Sequence, residues 1–168
     1  MAIRGIIERK DARASARVHL MKGMPRISRE VARERARRAA EVLAADGRVR
    51  LIFLFGSAAD PERAAVRDVD LAILTDQRLG LYELLDLRAD VVRAAGGEID
   101  LVPLNDAGVV LAHEVADTGE CLYANPPELA VEFVTRARMR YFDFKPYLDE
   151  QWRLIGERIE ERRRGLPG

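Results

Sequence analysis

The stretch LFGSAADPERAAVRDVDLAIL, Leu54 to Leu74, constrains this chain more than any other. A nearly continuous apolar run over Val49–Phe55 stops at Gly56-Ser57, ten mostly polar residues follow, and a second apolar run opens on Asp68 and Asp70. Short apolar runs bounded by turn residues read as strands covered on both faces. Residues two apart on a strand share a face, so Asp68 and Asp70 point one way while Val69, Leu71 and Ile73 point the other. Two neighbouring carboxylates repel, and a divalent cation between them relieves the repulsion. All-oxygen ligands select hard ions such as Mg²⁺, which takes one or two carboxylates together with phosphate and water.

A third apolar run, EIDLVPL, adds Asp100, with Glu98 two residues before it and Pro103 marking a sheet edge or strand end. Three carboxylates can hold two Mg²⁺ ions about 3.5–4 Å apart, the spacing that steadies both the attacking and the leaving oxygen of an in-line phosphoryl displacement. Gly56 permits a tight turn and a close backbone approach, and the Ser57 hydroxyl adds a donor. If the following ADPERAA opens a short helix, its free N–H groups face the phosphates. Gly56 and Ser57 are therefore candidate phosphate ligands, and Asp68, Asp70 and Asp100 candidate metal ligands and catalytic residues.

The remaining pattern surrounds these strands with helices. Ser28 is a candidate N-cap for a helix ending at Gly47, with an apolar stripe of Val31, Ala39, Val42 and Leu43 and an Arg/Glu-rich outer face. Leu79 to Ala95 has helical periodicity closed by Gly96-Gly97, Asp106 to Asp117 is expected to be helical, and Glu120-CLYA is expected to be a short strand. From Pro126 the periodicity stays helical, and Pro146 predicts a kink or a new helix starting near Lys145. The order is α/β or α+β with a small sheet. Its divisions are an arm over residues 1–25 outside the fold, a core over 26–125, and a helical segment over 126–168 for packing and partner contact. The aromatics Tyr141, Phe142, Phe144, Tyr147 and Trp152 are either core or a partner surface.

Net charge is zero, yet it is unevenly spread: residues 51–130 carry fifteen acidic and five basic side chains, whereas residues 1–50 carry six and fourteen. An acidic centre repels bare polyphosphate or nucleic acid unless cations intervene, so no direct nucleic-acid partner is expected. No run is long and apolar enough to span a membrane. The single cysteine, Cys121, excludes an internal disulfide, suits a reducing cytoplasmic compartment, and reads as a small buried hydrophobe. His113-Glu114-VAD imitates half of a zinc HExxH site, but Asp117 stands where the second histidine belongs.

Gly56-Ser57-x10-Asp68-x-Asp70 resembles the signature of minimal nucleotidyltransferases of the DNA polymerase β-like superfamily. The downstream EIDLVPLN and FVTRARMRYFDFKPYLDEQ resemble the MNT antitoxins paired with HEPN ribonuclease toxins, over about residues 28–160. The resemblance implies a small mixed sheet flanked by helices with a long C-terminal helical segment. It also implies transfer of AMP from ATP to a tyrosine of a HEPN toxin, metal ligation by Asp68, Asp70 and Asp100, and phosphate binding at Gly56 and Ser57. One departure stands out. Where the family commonly continues Gly-Ser-x-Ala-Arg-Gly, this chain has Asp60 and Pro61, an acid in place of a base beside the phosphates, which lowers ATP affinity or activity unless Arg63 or Arg67 reaches in instead. A binding-only antitoxin that masks its toxin, and a nucleotidyltransferase for a small molecule such as an antibiotic, are the rival readings.

Overall fold

The computed structural model describes residues 26–165; the arm expected over residues 1–25 lies outside the described residues. Among the described residues, two sheets and four helices are built in the order β1 (Ile27–Ser28), α1 (Arg29–Ala45), β2 (Val49–Phe55), β3 (Ala65–Val66), β4 (Val69–Thr75), α2 (Leu81–Ala95), β5 (Ile99–Pro103), α3 (Val109–Thr118), β6 (Glu120–Ala124) and α4 (Glu128–Arg164). The main sheet runs β5-β4-β2-β6, with β4 and β5 parallel and the other neighbours antiparallel. β1 and β3 form a separate antiparallel ribbon, which the sequence reading did not foresee. Expected and observed strands coincide for β2, β4, β5 and β6, because each is an apolar run too short for a helix and closed by turn residues.

Each face of the sheet carries its own cluster. On one, Ile52, Leu54, Leu71, Ile73, Ile99 and Leu101 pack beneath α1 and α2; on the other, Leu51, Phe53, Phe55 and Ala72 pack against α3 and the start of α4. β2 lies between two strands and under both layers, and six of its seven residues are buried. Each such Leu, Ile or Phe contributes about 1.5–3 kcal/mol by leaving water.

Ser28 caps α1 as expected, its hydroxyl accepting from the Val31 N–H at 3.3 Å. Of the expected stripe, Ala39 and Leu43 are buried and Val42 packs against the core, whereas Val31 is exposed and Ala32, Ala36 and Ala40 complete the buried face. Alanines at helical spacing let the helix backbone lie close to the strands, which the branched Val31 would prevent. Beyond the helix, Arg48 donates to Asp46 at 2.7 Å and to Glu83 at 2.8 Å, joining the end of α1 to the start of α2. Gly96, at φ +65°, closes α2 in the left-handed conformation, its N–H returning to the Val92 carbonyl.

Several expectations are corrected. The helix expected from Asp106 begins at Val109, after a 3₁₀ turn over Leu104–Asp106. No new helix starts at Lys145, since α4 is a single helix running through Pro146. The turns around that proline carry their own ion pairs, Lys145–Asp149 at 2.7 Å and Arg153 with Glu150 and Glu157 at 2.7 and 2.6 Å. Cys121 is exposed rather than buried, because β6 is an edge strand. Desolvation pushes its thiol above the usual range, so it is a neutral thiol near pH 7. The aromatics of α4 are not core: Phe142, Phe144, Tyr147 and Trp152 are exposed, and Tyr141 is half-buried against His113, with ring centroids 3.8 Å apart. Phe133 is the aromatic that reaches the sheet, 5.5 Å from Phe53.

At one end of β4 sits Thr75, the buried polar side chain among the described residues. Asn105 accepts from its N–H at 3.1 Å and its hydroxyl at 2.9 Å and donates to its carbonyl at 2.8 Å. One amide side chain thereby satisfies backbone groups that would otherwise be orphaned where the strand ends.

Candidate active site

The acidic residues lie at the opposite end of β4, where β2 finishes. In the ladders Phe55 pairs with Asp70, and Asp70 pairs with Asp100. Paired residues point to the same face, and neighbouring strands are about 4.8 Å apart, so Asp70 and Asp100 are side by side. Asp68 immediately precedes β4, with the same parity as Asp70. All three are half-buried. Their face is that of Phe53, Phe55 and Ala72, at the margin of the cover provided by α3 and α4.

Gly56 follows Phe55 directly and turns the chain at φ +66°. A Cβ at this position would lie 2.7 Å from Asp70 Oδ2. A Cβ would fit only if that carboxylate moved, so both the positive φ and the close approach favour glycine. Gly56–Ala58 form a single 3₁₀ turn, with Ser57 half-buried.

The short helix expected in ADPERAA is absent. Asp60 and Pro61 make a β-turn instead: the Arg63 N–H donates to the Asp60 carbonyl at 3.3 Å, and the Glu62 N–H donates to Asp60 Oδ1 at 2.9 Å. Aspartate offers the backbone this local alternative, and proline presets the φ of the turn's second residue. The N–H groups offered beside Gly56 are therefore those of one short turn rather than of a helix terminus. The Arg29 N–H donates to the Ala64 carbonyl at 3.1 Å, and the β1–β3 ribbon fixes the remainder of the loop.

A cavity of about 470 Å³ opens beside Gly56 and Ser57, walled by Asp60, Pro61 and Arg63 on one side and by Glu114 and Thr118 of α3 on the other. Arg63 is exposed and directs its Nε toward Asp60 Oδ2 at 3.5 Å. Arg67 is exposed. Glu98 is exposed and pairs with Arg88 at 3.7 Å. Glu114 and Thr118 had no sequence signal as site residues, because α3 reaches the cavity only through packing across the sheet. A second, smaller cleft of about 300 Å³ shares Pro61 and Arg63 with the first and adds Arg29 and Arg33.

The donor set suits a hard cation, being oxygen from carboxylates, a hydroxyl and phosphate. Among the described residues, no group of three or more His, Cys, Asp or Glu is drawn together closely enough to hold a metal ion. The structure itself thus gives a pair of neighbouring carboxylates, a third at the strand mouth and a glycine pressed against one of them.

Comparison with known proteins decides the family, since the polymerase beta, nucleotidyltransferase pattern matches residues 38–128, more than half of the chain. The chain belongs to the polymerase beta nucleotidyltransferase family. The matched span of this nucleotidyltransferase runs from within α1 through β6 to the first residue of α4 and so contains every candidate site residue.

Solved structures share its fold. One is a tri-AMPylated HEPN toxin from Shewanella oneidensis in complex with its MNT antitoxin, 23% identical, with a TM-score of 0.53 over 72% of this chain and 98% of that one. Another is a toxin–antitoxin structure with AMP-PNP, 24% identical, with a TM-score of 0.54 over 68% and 96%. A third is a double Asp-to-Glu variant of the MntA–HpeT toxin–antitoxin pair, 24% identical, with a TM-score of 0.52 over 67% and 94%. No protein of curated function matches the sequence.

Proposed function

We propose that this nucleotidyltransferase is an antitoxin that transfers AMP from ATP to a tyrosine of a HEPN ribonuclease toxin. The observation carrying the reading is the seating of Gly56 against the Asp70 carboxylate, with Asp100 next to it in register. That arrangement is what phosphoryl transfer needs: a backbone turn open to phosphate, backed by carboxylates able to hold Mg²⁺. The solved structures with AMP-PNP and with an AMPylated toxin support the choice of nucleotide and acceptor.

Asp70 and Asp100, side by side in register, would hold Mg²⁺, with Asp68 drawn in from the strand mouth as the ion binds, and the ion would supply charge that neutralises the phosphates. The Ser57 hydroxyl and the N–H groups of the 3₁₀ turn donate to phosphate oxygens, with Arg63 or Arg67 as counter-charge. The tyrosyl oxygen bonds to the α-phosphorus, the bond from that phosphorus to the α–β bridging oxygen breaks, and pyrophosphate departs. Asp100, at the edge of the acidic row, would accept the phenolic proton. Residues 26–125 form the transfer core, and residues 126–168 serve packing and partner contact.

A binding-only antitoxin is the second reading, favoured by the Asp60 turn and by the exposed aromatics of α4. Incubation with labelled ATP, Mg²⁺ and the HEPN protein encoded beside it separates the two. Labelled toxin, lost on Asp70→Asn, is the expected result. Toxin that is neutralised but unlabelled refutes transfer and leaves masking.

A further inference from the structure

We infer that Asp60 sets the affinity of the nucleotide pocket by competing with phosphate for the Arg63 guanidinium. The inference rests on the nucleotidyl-transfer reading of the site and concerns its regulation.

Its basis is the construction of the Asp-Pro-Glu-Arg turn. The two hydrogen bonds that Asp60 accepts, one at its carbonyl and one at its carboxylate, fix the first and fourth residues on the same side, so the carboxylate and the guanidinium face one another on the cavity rim. Pro61 keeps the turn from unwinding into other conformations. The pair is loose: Nε and Oδ2 are 3.5 Å apart, beyond a good hydrogen bond, and both side chains are substantially exposed. Arg63 is the one cation lining the cavity among the described residues, and Glu114 of α3 lines it too. An incoming polyphosphate therefore meets two carboxylates and a single guanidinium already engaged by one of them. Binding requires Arg63 to exchange Asp60 for phosphate, a stronger charge-assisted partner. Asp60 thus acts as a built-in competitor that raises the nucleotide concentration at which the site fills.

Asparagine is the discriminating replacement. Its side-chain oxygen still accepts from the Glu62 N–H, so the turn persists while the charge is removed. The full chain is titrated with AMP-PNP and Mg²⁺ by calorimetry, in wild type, Asp60→Asn, Arg63→Ala and the double variant, at low and high salt. Asp60→Asn is expected to bind about three- to tenfold tighter, the range that exchange of an exposed ion pair allows. It lowers the KM for ATP and leaves kcat unchanged. Most of the gain disappears in the Arg63→Ala background and at high salt. Unchanged or weaker binding by Asp60→Asn overturns the inference, as does a full gain that survives Arg63→Ala. Wild type that binds no nucleotide sinks the transfer reading itself, whereas wild type that binds while Asp60→Asn gains nothing sinks the competition alone.

Discussion

Replacing Gly56 with alanine tests the geometry on which the site depends, and the fold supplies its own control. Gly56 and Gly96 have nearly identical backbones, φ +66° and +65°, so alanine costs each about 1–2 kcal/mol of left-handed strain. Their surroundings differ. A Cβ on Gly96 meets nothing within 4 Å, whereas a Cβ on Gly56 lies 2.7 Å from Asp70 Oδ2, well inside van der Waals contact. Relief there requires the carboxylate to move by roughly 0.5–1 Å, and a displacement of about 1 Å at reacting groups can cost on the order of a hundredfold in rate. Both variants should lose about 2–8 °C in melting temperature, as expected for a chain of this size. Only Gly56→Ala should lose transfer, by about a hundredfold in Mg²⁺-dependent labelling of the toxin with AMP. Equal transfer by the two variants, or wild-type transfer by Gly56→Ala, refutes the reasoning, because Asp70 would then have no need of its seat against the turn.

Asn105→Ala, which strips partners from the N–H and carbonyl of Thr75, should cost about 2–3 kcal/mol in urea unfolding. Asp46→Asn should cost well under about 1 kcal/mol, since its partner Arg48 is exposed. The hydrogen bond from Arg48 holds the Asp46 carboxyl below its ordinary 3.8, so its contribution is present above that pH and is lost as pH falls through the lower folded value. Acid titration of stability should therefore show wild type and Asp46→Asn converging below about pH 4. Trp152→Ala, at a residue 69% exposed, should leave the melting temperature within about 1–2 °C and weaken toxin binding in a pull-down or calorimetric titration, provided α4 is the partner surface.

The parts of this fold that sequence reveals are those where local chemistry and global position agree. β2, β4 and β5 are buried runs with turn residues at their ends, and Ser28 and Gly96 cap helices through their own backbone preferences. The meeting of Gly56, Asp70 and Asp100 at one end of the sheet is legible because few arrangements put glycine after one strand and paired acids before the next. The rest depends on contacts far apart in sequence. Ala32, Ala36 and Ala40 carry little hydrophobic signal, yet they are buried, because small side chains at helical spacing let the helix approach its neighbours closely. Leu81, Tyr82 and Leu85 helped to identify α2 but stand in water, since the sheet is too narrow to cover that turn. Asp60 reads in sequence as a missing arginine, and its place in a turn that holds Arg63 emerges only from the folded loop. Glu114 and Thr118 belong to the cavity through the docking of α3, which no local pattern encodes.

The β1–β3 ribbon has a practical consequence. Because Ile27 lies opposite Val66 and the Arg29 amide donates to the Ala64 carbonyl, residues 27–29 lie next to the turn that carries Asp60 and Arg63. A fluorophore attached near residue 26 would sit within sensing range of ATP occupancy, whereas one placed toward Arg164 would ride on the far stretch of α4. Labelling the two positions in turn gives separate optical reports on the nucleotide and on the toxin from the same protein.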